Sequence, residues 1–153
     1  MPQPAPDRIH ALELPLTSFS LLIPSASTAE VVNLPHLTAV PLGAPWLLGV
    51  MGWRTLAVPV ISYELLMGAR THPAPSAASK AVIFFPLPGR KEWEFFGILA
   101  AAEPRPQTVV ASLAIPVDAG ELPDSPYVAS GLRIEGKVLA IPDMAVLRKA
   151  FYP

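Results

Sequence analysis

The chain contains no cysteine. Disulfides, thiol nucleophiles and thiolate metal sites are thereby excluded, and the composition fits a reducing compartment. Charge is also scarce: 15% of residues are charged, and the formal net charge is −1. A nucleic-acid partner or an anionic membrane calls for a basic footprint, and at the level of the whole chain there is none. The start, MPQPAPDRIHALELP, lacks a basic region followed by an apolar run, so no signal peptide is expected.

Catalytic patterns are missing too. There is no Gly-x-Ser-x-Gly, glycine-rich phosphate loop or dinucleotide fingerprint. His10, His36 and His72 each stand without a second histidine or a carboxylate at ligand spacing, so neither a metal nor another cofactor is expected. Ser25 and Ser27, near Glu30 but far from any histidine base, read as turn serines. Glu92 and Glu94 would share a face on a strand, yet beside Arg90 and Lys91 they read as a solvated hairpin end. The chain reads as non-enzymatic.

What is present is apolar and rich in proline. Of 153 residues, 52% are hydrophobic and 20 are proline, enough for one packed domain but hostile to long helices. The prolines are scattered, which suits many short strands whose ends tolerate a missing N–H. Residues 31–53 carry no formal charge, but Pro35, Pro41 and Pro45 would break a membrane-spanning helix. A soluble, cytoplasmic protein without membrane insertion is expected.

The centre of the sequence is the stretch 34–68, in which Arg54 is the one charged side chain before Glu64. A guanidinium in such surroundings needs a reason, because an unpaired buried charge is costly. Gly49 and Gly52 precede it, Trp53 adjoins it, and Ala57-Val58-Pro59-Val60-Ile61 follows as a strand that Pro59 confines to an edge or a bulge. The pattern predicts strand, glycine-eased turn, strand, and a brief helix over 62–67. Arg54 either pairs internally with Glu30 or Glu64, or anchors a protein interface, where Arg and Trp are enriched.

Elsewhere the sequence predicts a strand over 19–24 and another over 30–33. Ser27-x-x-Glu30 has capping-box spacing, but the β-branched Val31-Val32 pair and Pro35 favour the strand. A loop with an extended middle is expected over 37–45 and a linker over 68–79. Strands over 80–85 and 92–102 would form a hairpin, with a further strand over 108–113 and a loop over 118–127. Residues 132–141 alternate about Glu135-Gly136, a second hairpin signal. Residues 143–151 form the clearest helix, with Asp143 as N-cap and Met144, Leu147 and Phe151 on one face. Short strands at this spacing indicate a barrel or sandwich.

Glu30-Val31, Val40-Pro41, Pro45, Gly49-Val50, Arg54 and Val58-Pro59-Val60-Ile61 together resemble the CheW family of chemotaxis coupling proteins. That family's pattern is roughly Glu-Ile, a proline-bearing stretch, Gly-Val-x-Asn-Leu-Arg-Gly, then Pro-Val-Ile-Asp-Leu. Weaker agreement runs through Gly97-Ile98-Leu99 and from Gly131 to Leu147. Here Asn-Leu-Arg-Gly becomes Gly52-Trp53-Arg54-Thr55, the aspartate after Pro-Val-Ile becomes Ser62, and a later Val-Asp becomes Ala100-Ala101. Gly-Trp-Arg followed by Ile-Ser-Tyr-Glu is similar to the ChpC-like branch of the type IV pilus chemosensory system.

The resemblance implies a mainly β protein with two SH3-like five-stranded β-barrel lobes around a shared hydrophobic core and a short C-terminal helix. Residues 1–16 would form a flexible tail and 17–153 a single CheW-like domain. Lobe one would span 17–67 with the helix 143–151, and lobe two 80–142. The implied function is a non-catalytic adaptor between the regulatory domain of a CheA-type histidine kinase and the cytoplasmic tip of a methyl-accepting chemoreceptor. It would be recruited to receptor arrays and would act on swimming or on type IV pili and twitching. Glu30, Val31, Gly49, Trp53 and Arg54 are the implied partner-binding residues. A small-ligand-binding β-barrel with a closed pocket lined by Trp46, Trp53 or Phe95 is the alternative, and an enzyme with dispersed catalytic residues is a third reading.

Overall fold

The computed structural model describes residues 8–70 and 75–151. In chain order the elements are β1 (Arg8–Pro15), β2 (Ser20–Pro24), β3 (Thr28–Asn33), β4 (Leu47–Trp53), β5 (Leu56–Ile61), α1 (Tyr63–Leu66), β6 (Lys80–Phe84) and β7 (Phe96–Ala100). There follow β8 (Arg105–Val110), β9 (Ile115–Pro116), β10 (Val128–Ile134), β11 (Lys137–Pro142) and α2 (Met144–Phe151). They build two sheets, ordered β8-β1-β2-β11-β10-β9 and β3-β6-β7-β5-β4.

The innermost strands are apolar on both faces, and this double burial explains the two-lobed arrangement. On β6, Val82 and Phe84 join a large core shared by both sheets, whereas Ala81 and Ile83 turn into the interior of their own lobe with Met51, Trp53, Val58 and Val60. On β2, Leu21 and Ile23 face the shared core, and Leu22 fills the other lobe with Ala11, Val109 and Leu139. A strand alternates its side chains between faces, so two buried faces require an uninterrupted apolar run. Leu21-Leu22-Ile23 and Ala81-Val82-Ile83-Phe84 are such runs.

Several local expectations match the elements seen. Ser62 caps α1 by accepting from the Leu65 amide at 3.2 Å. Gly68, at φ +103°, closes it in a Schellman arrangement, with Gly68 N donating to Leu65 O and Ala69 N to Glu64 O. Asp143 caps α2 through a 3.1 Å bond from the Val146 amide. Leu147 is fully buried, and Met144 and Phe151 pack on the same core. Glu135 and Gly136, at φ 50° and 79°, form the two-residue turn joining β10 to β11.

Others are corrected. The tail expected over 1–16 is instead strand β1 from Arg8 onward, paired with β2 and β8; residues 1–7 lie outside the described part. Its signal was the alternation Leu12, Leu14, Leu16, all facing the shared core. The lobe division at the 68–79 linker is also wrong. One lobe holds β3 through β7, a continuous segment, and the other joins β1 and β2 to β8–β11. In sequence the linker therefore falls between β5 and β6 of one lobe, and its residues 71–74, including His72, fall outside the described residues.

Three strand expectations also shift. The 92–102 strand shortens to β7, because Arg90 and Glu94 close a turn that occupies its first residues. The 108–113 strand moves to Arg105–Val110, where β1 supplies its partners. Pro59 is on an interior strand, not an edge. Its partner across the ladder, Val50, directs both its amide and its carbonyl to Thr38 on its other side. The parallel ladder between β5 and β7 takes in only Val60 and Ile61, so the missing N–H of Pro59 breaks no ladder bond.

Candidate functional site around the β4–β5 turn

Trp53 pairs with Leu56 across the β4–β5 ladder, leaving Arg54 and Thr55 as a two-residue turn. A hairpin this tight, with both central residues at positive φ, matches the twist of its strands and normally favours Asn or Gly. Here Arg54 has φ 47° and Thr55 φ 66°. A β-branched residue in that region is a true outlier. The expected easing by glycine is therefore corrected: Gly52 is not at positive φ, and a Cβ there would meet nothing.

Gly49 serves a different purpose. A Cβ at Gly49 would lie 2.7 Å from Thr38 O and 2.9 Å from Leu37 Cβ. Its absence lets the 37–38 segment cross β4 and form the Thr38–Val50 bridge. That bridge is the extended middle expected within the 37–45 loop.

Glu30 on β3 reaches the same turn. The Trp53 Nε1–H donates to Glu30 Oε2 at 2.7 Å, and the nearest Arg54 nitrogen stands 3.5 Å from that oxygen. Of the two internal partners considered for Arg54, Glu30 is the one present; Glu64 instead accepts from the Thr17 amide and hydroxyl, each at 3.1 Å. The Arg54 guanidinium lies over the Trp53 ring at 4.6 Å, a cation–π contact. Arg54 remains 67% exposed in its side chain and Glu30 41%, while Trp53 is buried.

The structure thus brings Glu30, Trp53 and Arg54 into one cluster. Val31 is turned away from it into the shared core, half-buried, as alternation along β3 requires. Gly49 supports the strand below. The sequence reading named Phe95 only as pocket lining and did not single out Phe85; here Phe95 lies 4.9 Å from the Trp53 ring and Phe85 5.7 Å from Phe95. The signal that could have found them is their place just beyond the Phe84–Phe96 pair of the β6–β7 hairpin.

The closed pocket lined by Trp46, Trp53 or Phe95 is corrected. Trp46 packs with Phe151 on the shared-core side, whereas Trp53 and Phe95 belong to the interior of one lobe. The apolar hollow beside Trp46, Leu47, Pro59, Ile61, Phe96 and Phe151 measures ≈ 180 Å³. That is below the roughly 300–1,000 Å³ usual for small-molecule sites. Among the described residues no group of three or more His, Cys, Asp or Glu could hold a metal ion, and no helix is long and apolar enough to cross a membrane.

The curated proteins yield no match to this sequence. Among solved structures, the scaffolding protein TtCheW from Thermoanaerobacter tengcongensis is similar, with a TM-score of 0.72 at 19% identity. The alignment covers 92% of this chain and 86% of that one, which establishes the two SH3-like lobes as a shared fold. The model of the CheW-like domain matches residues 12–150. A match over nearly the whole chain places it: this protein belongs to the CheW-like domain family.

Proposed function

We propose that this protein is a non-catalytic adaptor in chemosensory signalling, linking the regulatory domain of a CheA-type histidine kinase to the cytoplasmic tip of a methyl-accepting chemoreceptor. The observation that carries this reading is the β4–β5 turn, where Arg54 is held out to solvent on a strained backbone and backed by Trp53 and Glu30. Strained backbone persists where surrounding structure enforces it, and it clusters at functional sites. Arg54 makes the contact, held in place by Trp53 and Glu30; Gly49 shapes the strand that carries the turn, and Val31, on the opposite face of β3, packs into the shared core. TtCheW is a scaffolding protein by its own description, and a scaffold needs such a surface and no catalytic group. The Gly-Trp-Arg variant and Ile-Ser-Tyr-Glu favour the branch that controls type IV pili and twitching motility. The protein would work in the cytoplasm, recruited to receptor arrays.

Calorimetric titration with the kinase regulatory domain and with a receptor-tip fragment from the same organism tests this, with wild type beside Arg54→Glu. Micromolar binding of both, weakened by the substitution, is the expected result. Binding of the kinase alone would make the protein a modulator instead of a coupler. A folded wild type that binds neither overturns the reading.

A further inference from the structure

Arg54, Trp53, Phe95 and Phe85 form a continuous row, with successive centres 4.6, 4.9 and 5.7 Å apart. One end of the row is a guanidinium and the other an exposed ring, Phe85 at 48%. The distances within the row show how its charge is disposed. The short bond at Glu30 comes from the Trp53 indole, at 2.7 Å, and not from Arg54, which stands off at 3.5 Å. A guanidinium carries five N–H donors. At Arg54 they make no hydrogen bond within the described residues, while the guanidinium carbon lies over the Trp53 ring at 4.6 Å.

We propose that Trp53 holds the Glu30 carboxylate so that Arg54 keeps its donors for a carboxylate on an acidic segment of a protein partner, with a neighbouring apolar side chain of that segment seated on Phe85. Planar N–H pairs match a carboxylate in a bidentate fork. The adjacent Glu30 already contributes one negative charge, so a singly charged carboxylate fits where a phosphate dianion would be repelled. The exposed ring gives the segment an apolar contact that a free ion could not use. Trp53 is a positioning residue here: with a side chain that cannot donate, Glu30 would turn to Arg54 and occupy the fork.

The inference rests on the turn being a partner contact, and its test separates the two. The full chain is titrated with the kinase regulatory domain and with the receptor-tip fragment at low and high salt. Arg54→Gln should weaken binding to one of them about tenfold and flatten its salt dependence. Phe85→Ala should weaken the same complex without altering the salt dependence. Trp53→Phe keeps a ring but removes the indole N–H, and should weaken binding about fivefold. Glu30→Gln added to Trp53→Phe should restore binding to within about twofold, since the competing charge is gone. Damage to packing alone would not be rescued this way. A wild type that binds while Arg54→Gln changes neither affinity nor salt dependence overturns the inference and leaves the adaptor standing. So does a double variant that fails to recover. A wild type that binds neither fragment overturns both.

Discussion

Trp53 and Glu30, 23 residues apart in sequence, are joined by a 2.7 Å hydrogen bond from the indole N–H to the carboxylate. It ties the β4–β5 turn to β3, two strands at opposite edges of the same sheet. Replacing Glu30 with Ala would leave the Trp53 donor without its partner and should cost about 1 kcal/mol. Glu30→Gln keeps an acceptor and should be close to neutral. Urea denaturation of the two variants checks the difference.

Thr55 occupies a left-handed backbone conformation, φ 66°, at the position where the resembled pattern has glycine. That conformation costs a residue with a Cβ about 1–2 kcal/mol, and glycine escapes it at a smaller entropic loss. Thr55→Gly should therefore stabilise the protein by roughly 0.5–1 kcal/mol, read as a higher urea midpoint at unchanged slope.

Gly49→Ala is expected to act in the opposite direction. Its Cβ would stand 2.7 Å from Thr38 O, and forcing apart two packed segments costs about 1–3 kcal/mol. Hydrogen exchange localises the effect. The Thr38 amide, bonded to Val50 O at 2.9 Å, should lose protection before the β5–β7 ladder does.

Tyr63 is buried between the lobes and donates its hydroxyl to Tyr127 O at 2.5 Å. Burial first, and then the nearby Asp143 and Tyr127, push its pKa well above the ordinary value of 10.0. The unfolded chain releases this proton at lower pH than the folded one. The stabilisation is therefore complete below pH 10, and it is lost as pH rises beyond that point toward the folded value. Tyr63→Phe should cost about 1 kcal/mol at neutral pH, because the Tyr127 carbonyl keeps its bond from Asp143 N. The variant should also lose less stability above pH 10 than wild type. Denaturant midpoints across pH 7 to 11 give both numbers.

Local chemistry was legible without the fold. Asp143 before an amphipathic run, Ser62 before a short helical one, and Glu135-Gly136 between alternating strands each specify their element through contacts a few residues away. The resemblance carried by Glu30, Gly49, Arg54 and Val58-Pro59-Val60-Ile61 reached the family for the same reason, since its motif lies within one short stretch. Of the candidate site, Glu30 and Arg54 were recognised as a possible pair. Their mediation by Trp53 was not, because Glu30 is on β3 and Trp53 on β4, strands that are not neighbours in the sheet.

The sequence by itself determined most of the short strands, the Asp143 cap and the closing hairpin, and it carries the apolar runs that demand burial on both faces. Only the tertiary structure decided which strands share a sheet. The pairings that set it, β5 with β7 and β2 with β11, are parallel and join distant segments. Such pairing follows from where each apolar face can be buried, which no local pattern encodes. The same holds for β1, where Glu13 is nearly inaccessible yet bridges Lys137 at 3.2 Å. A charged residue becomes acceptable inside a lobe once another strand brings it a partner, and that strand lies more than a hundred residues away.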